Sequence, residues 1–117
     1  MKYNKDTIIQ KGSISMAVLN VTKDNFSEVV SSKKPVLLDF YADWCGPCRM
    51  VSPLVDEIAE EHSEFTVGKI NVDDQPELAA AFGVSSIPML AVMKNGKVTA
   101  HAVGARSKSA ILDMLKG

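Results

Sequence analysis

The chain holds two cysteines, and both lie in one pentapeptide, Trp44-Cys45-Gly46-Pro47-Cys48. An apolar run precedes the pair, and a stretch with helical spacing follows it. Four uses of such a pair can be weighed. A structural disulfide across so short a loop removes little freedom from the unfolded chain, roughly 2 kcal/mol against about 3 for a fifteen-residue loop. It would staple nothing distant. A closed zinc site needs four ligands, and beyond the two thiolates the chain offers only His62 and His101, too far apart to converge easily. Two inert core cysteines are a third use. Gly46 and Pro47 argue against it, because they read as a turn that opens a helix.

The fourth use is a reversible dithiol. Cys45 falls just before the helix, where Pro47 occupies the first turn at no cost in hydrogen bonds. The unpaired N–H groups and the dipole of that terminus stabilise a thiolate, which is the attacking species in exchange. Cys48 lies close enough to resolve a mixed disulfide within the molecule. The spacing is then set by the chemistry, since the small ring is its product. This reading requires a Cys45 sulfur that is accessible and partly ionised.

The rest of the chain gives the pair a scaffold. Ala17–Val21 reads as a short strand, and Thr22–Ser32 as a helix with Thr22 or Asp24 as its cap and Phe26, Val29 and Val30 at helical spacing. Val36–Ala42, almost continuously apolar, has the signature of a strand covered on both faces. The long helix after Cys48 carries Met50, Leu54 and Ile58, with Val51 and Val55 beside them; Pro53 is expected to kink it. Phe65–Asp73 is the next strand. Asp74, Glu77 and Gly83 mark a short helix from cap to stop. Asn95-Gly96 between two apolar runs signals a hairpin, and Ser107 or Ser109 opens a last helix striped by Ile111, Leu112 and Leu115. Strands and helices therefore alternate as β-α-β-α-β-α-β-β-α. The early crossovers require parallel pairing and the hairpin adds antiparallel strands, giving one mixed sheet with helices on both faces.

Composition closes off several functions. The chain has 117 residues, room for one domain, and a formal net charge of −1, which points to neither nucleic acid nor an anionic membrane. No run approaches the ~18 apolar residues of a membrane span. "TIIQ" is too short for the core of a signal peptide, so a cytoplasmic location is expected. Residues 1–15 differ in character from the domain at 16–117 and read as a leader, disordered or artificial in origin, unless Ile8 and Ile9 dock on the domain.

The stretch "LLDFYADWCGPCRMVSPLVDEIA" closely resembles thioredoxins, and "VGKINVDDQPELAAAFGVSSIP", "VMKNGKV" and "VGARSK" extend the resemblance from about Ala17 to the C-terminus. It implies the α/β thioredoxin fold, a central mixed sheet of about five strands flanked by about four helices. It implies reduction of disulfides in other proteins through Cys45 and Cys48, with no bound cofactor and no metal. Electrons would come from a separate flavoprotein, thioredoxin reductase, drawing on NADPH. The partners are disulfide-containing proteins, not nucleic acid or membrane, and the expected state is a monomer.

Other residues take roles around the pair. Asp39, a carboxylate within a buried strand, is costly to ionise, so its pKa should rise. Six residues ahead of Cys45, it is placed to accept the proton of Cys48, the role the resemblance also implies. Lys69 either pairs with Asp39 across neighbouring strands or snorkels off an edge. The resemblance implies a cis Ile87–Pro88 bond beside Cys45. Trp44, Gly46, Pro47, Ile87, Pro88, Met89, Val103 and Gly104 would then form a substrate-binding rim, although Val103 and Gly104 also suit plain strand packing and a plain turn. Met89 stands where threonine is familiar, Met93 where an aromatic is, and Tyr41 where tryptophan is frequent. Met89 is expected to be exposed and open to oxidation. His62 and His101 are given no catalytic part. Two rivals remain: an oxidant or isomerase on the same scaffold, and a binding subunit whose rim matters and whose redox chemistry does not.

Overall fold

The computed structural model describes residues 17–117; the leader lies outside the described residues. Nine elements follow in the expected order: β1 (Val18–Asn20), α1 (Phe26–Val30), β2 (Val36–Tyr41), α2 (Gly46–Glu61), β3 (Thr66–Asn71), α3 (Pro76–Ala81), β4 (Met89–Lys94), β5 (Lys97–Val103) and α4 (Lys108–Lys116). The strands form one sheet in the order β1-β3-β2-β4-β5. β1 and β2 run parallel to β3, and β4 runs antiparallel to β2 and β5. β2 is the middle strand, which explains its apolar run, because both its faces are covered.

Alternation along β2 divides the core. Val36, Leu38 and Phe40 point to one side, where they meet Val29, Ile70, Leu78 and Met89. Leu37 points to the other, where it meets Val51, Val55 and Ile58 of α2 and Ile111 and Leu115 of α4. Each fully buried Leu, Ile or Val on these faces contributes about 1.5–3 kcal/mol relative to exposure. Asp39 shares the parity of Leu37 and so faces α2.

The hairpin forms where Asn95-Gly96 indicates it, with φ of 55° and 78° at the two residues, the pair of positive angles a tight strand reversal needs. Ser107 caps α4 by accepting a hydrogen bond from Ala110 N–H at 3.2 Å; Ser109 does not. Two other caps differ from expectation. α1 begins only at Phe26, because residues 22–25 form their own turn: Asn25 Oδ1 accepts from Thr22 N–H at 2.8 Å and Thr22 Oγ1 from Asp24 N–H at 3.2 Å. The residue before α3 is Gln75, not Asp74, since Pro76 takes the first helical position, and no side chain caps the helix. Met50 does not join the stripe of α2; it is 69% exposed, whereas Val51, Val55, Ile58 and Ala59 face the sheet. Pro53 sits on the exposed side of α2, which continues past it.

β3 passes β1 closely at Gly68. A Cβ added there would lie 2.5 Å from Val21 Cγ2, a side chain with no exposed surface and no room to yield. Gly68→Ala is expected to destabilise the fold by about 1–3 kcal/mol through overpacking, measured as a lower urea midpoint at unchanged slope.

Candidate active site

The site forms where β2 hands the chain to α2. Cys45 is the residue before the helix, in extended conformation, and its sulfur accepts the Cys48 N–H at 3.2 Å. The sulfur thus occupies the place an Asp or Ser oxygen takes in most helix caps. Cys45 and Cys48 are joined by a disulfide, with their Cα atoms 5.3 Å apart. The preceding turn is tied down by Cys45 N–H to Ala42 O at 3.2 Å and Arg49 Nη1 to Asp43 O at 2.8 Å.

A second segment reaches the pair from the end of α3. The Ile87–Pro88 bond is cis, and Ile87 O lies 3.8 Å from Cys45 Sγ. The third segment follows from sheet register: Met89 is paired with Val103, and Gly104 N–H donates to Pro88 O at 2.8 Å. Gly104 has φ of 94°, a conformation that favours a residue without Cβ. Trp44 is 68% exposed, its indole Nε1 donating to Asp73 Oδ2 at 2.9 Å, and Val103 is 48% exposed. Gly46 and Pro47 are exposed and Ile87 is half-buried. The expectation of an accessible Cys45 is corrected for the oxidised protein: the residue is buried, with 4% exposure, because its sulfur is bonded to Cys48 and faces the Ile87 carbonyl.

Met89 is a correction. Its side chain is buried, not exposed, because the start of β4 turns it into the core beside Phe40 and Leu78. It borders a recess of about 280 Å³ with Phe82, Val98 and His101. The exposed methionine near the pair is Met50.

On β2, on the side that faces α2, Asp39 is 1% exposed and its Oδ1 has no hydrogen-bond partner. Burial pushes its pKa from 3.8 up to about 7; the Lys69 charge opposes the rise and Asp56 adds to it. Lys69 stands opposite Asp39 in the register of β2 and β3, as expected of a cross-strand pair. Its ammonium goes elsewhere: Nζ donates to Ser52 Oγ at 2.5 Å and to Asp56 Oδ1 at 2.7 Å, both on α2. The direct Asp39–Lys69 pair, one of the two placements the sequence allows for Lys69, is not formed, and the Lys69 charge acts on Asp39 at longer range. Ser52 and Asp56 escaped the sequence reading. Their signal was a spacing of four on a helix, two polar residues on one face beside Val51 and Val55.

Ser52 also borders a recess of about 190 Å³, with Tyr41, Ala42, Asp43, Cys48 and Arg49. Tyr41 is half-buried there, its pKa raised by burial and by the Asp43 charge. His62 ends α2, with Nδ1 3.0 Å from Glu64 Oε2, and stacks on Phe65, far from the chemistry. Among the described residues no three His, Cys, Asp or Glu side chains gather as metal ligands, and no helix is long and apolar enough to cross a membrane.

A dithiol capping the helix that follows a central strand, with a cis-proline loop against its first sulfur, defines a thiol–disulfide oxidoreductase. A sequence model of the thioredoxin family matches residues 17–117. The thioredoxin of Pyropia yezoensis is 51% identical over 102 residues, covering 86% of this chain and 95% of that protein. The thioredoxin of Mycobacterium tuberculosis is 49% identical over 98 residues, covering 82% and 84%. A mutant thioredoxin from Halobacterium salinarum superposes with a TM-score of 0.80 at 37% identity, covering 90% of this chain and 94% of its own. The chain belongs to the thioredoxin family, whose members are protein-disulfide oxidoreductases, and it carries the redox-active cysteine pair.

The Asp39 carboxyl yields a test in oxidised protein. An unfolded chain releases this proton near pH 3.8, whereas the folded one holds it to about pH 7. Between those values the native state binds the extra proton, so stability falls as pH rises through the window. A shift of about three units corresponds to roughly 4 kcal/mol at ~1.4 kcal/mol per unit. Urea unfolding from pH 4 to pH 8 should show that decline in the parent and lose it in Asp39→Asn.

Proposed function

We propose that Cys45 is the attacking sulfur and Cys48 the resolving one. The Cys45 thiolate attacks a substrate disulfide, forming a Cys45–substrate bond and releasing one substrate thiolate. Cys48 loses its proton to Asp39 and attacks Cys45 Sγ; the second substrate sulfur leaves as thiolate, and the Cys45–Cys48 bond remains. Two electrons pass to the substrate, and the protein ends as the disulfide. The observation that carries this assignment is the Cys48 N–H directed at Cys45 Sγ from the first turn of α2. That donor and the helix dipole favour negative charge on position 45.

Lys69 supports Asp39 by its charge, at a distance. Trp44, Gly46, Pro47, Ile87, Pro88, Val103 and Gly104 receive an extended substrate segment, with backbone groups at Ile87 offering strand-like hydrogen bonds. Met89 contributes through its backbone, its side chain being turned inward. The disulfide is returned to the dithiol by a flavoprotein reductase drawing on NADPH. The protein works as a monomer in the cytoplasm. Both cysteines are committed to one exchange pair, which suits a reducing compartment where structural disulfides are rare.

The test is reduction of insulin disulfides with NADPH and a purified thioredoxin reductase. Turnover is expected from the parent and none from Cys45→Ser. Cys48→Ser should accumulate a mixed disulfide with substrate, seen as a mass adduct that dithiothreitol removes. Adducts trapped on position 48 in Cys45→Ser, and not on position 45 in Cys48→Ser, would reverse the assignment.

A further inference from the structure

Asp39 and Lys69 occupy facing positions on adjacent strands and the same side of the sheet. Neighbouring strands lie only about 4.8 Å apart, so a flexible lysine could reach a carboxylate so placed. A direct pair would satisfy Asp39 Oδ1, which instead has no partner. The lysine is diverted by α2, where Ser52 and Asp56, one turn apart, each accept from Nζ. The Lys69 and Asp56 side chains are 17% and 22% exposed, so the ion pair is largely withdrawn from solvent and holds its geometry.

We propose that Ser52 and Asp56 are positioning residues for the exchange reaction: by fixing the Lys69 ammonium to α2, they keep it from closing on Asp39 and leave that carboxyl free to take up and release a proton. The charged and titratable groups that act on Asp39 are few. β3 supplies Lys69 and α2 supplies Asp56, with opposite effects. Tyr41 lies two residues along β2, coupled to the Asp39 charge. β4 sets Leu90 opposite, and α4 sends the apolar Ile111 and Leu115 into the shared core. Cys48, in the first turn of α2, titrates only once the disulfide is reduced. Ser52 is the diagnostic residue. It is uncharged, so its removal deletes no charge near Asp39, whereas removal of Asp56 does; the Lys69→Met background isolates the part that passes through Lys69.

This inference rests on the proposed role of Asp39 for its catalytic meaning, but its test does not. The Asp39 midpoint is read in oxidised protein from the carboxyl carbon by NMR, assigned by its loss in Asp39→Asn. Ser52→Ala is expected to lower the midpoint as Lys69 loses one anchor, and Asp56→Asn to lower it by about one unit or more. Ser52→Thr, which keeps the acceptor, should restore the parent value. In a Lys69→Met background Ser52→Ala should have no effect. An unmoved midpoint in Ser52→Ala, in protein that unfolds cooperatively with the parent's urea slope, would overturn the proposal. So would an equal shift with and without Lys69. Insulin turnover by Asp39→Asn separately reads whether Asp39 serves as proton acceptor: parental turnover would remove that role while leaving the midpoint result intact.

Discussion

The sulfur of Cys45 has two duties that cannot be separated. It accepts the Cys48 N–H and so caps the start of α2, and it is one partner of the disulfide. Everything else serves to hold it there. β2 is buried at the sheet centre and cannot shift register without turning its apolar residues the wrong way. The turn from Ala42 to Cys45 is pinned by backbone and by Arg49. α2 is held to the sheet by Val51, Val55 and Ile58, and to α4 by Lys108, which bridges Glu57 and Glu61. A rigid base thus presents a reactive group at a fixed helix terminus.

Much of this was legible in the sequence because the decisive signals were local. The Trp44–Cys48 motif fixed the helix start, the run Val36–Tyr41 declared a central strand, and Asn95-Gly96 could scarcely be anything but a reversal. Asp39 stood out because a carboxylate amid apolar strand residues has no cheap place to go. Caps were harder. Thr22, Asp24 and Asn25 all suit a helix start, and the choice depended on which of them closed the preceding turn.

What was not legible depended on distance in the sequence. Lys69 could be matched to Asp39 by strand register, but its competition with α2 arises only when the helix is laid on the sheet. The direction of Met89 followed from where β4 begins, and a one-residue difference reverses a side chain. Spacing alone puts Met50 in the buried stripe; the actual stripe runs from Cys48 through Val51 and Val55 to Ile58. The rim, too, joins three separated segments through contacts no single window contains.

Trp44 gives the molecule an optical property. It is the chain's single tryptophan, and it stands next to Cys45 with its indole fixed to Asp73. Light emitted on excitation of indole therefore originates at the lip of the active site and nowhere else in the protein. The molecule carries its own fluorophore at the place where bonds are made and broken, with no label to attach and no background indole to subtract.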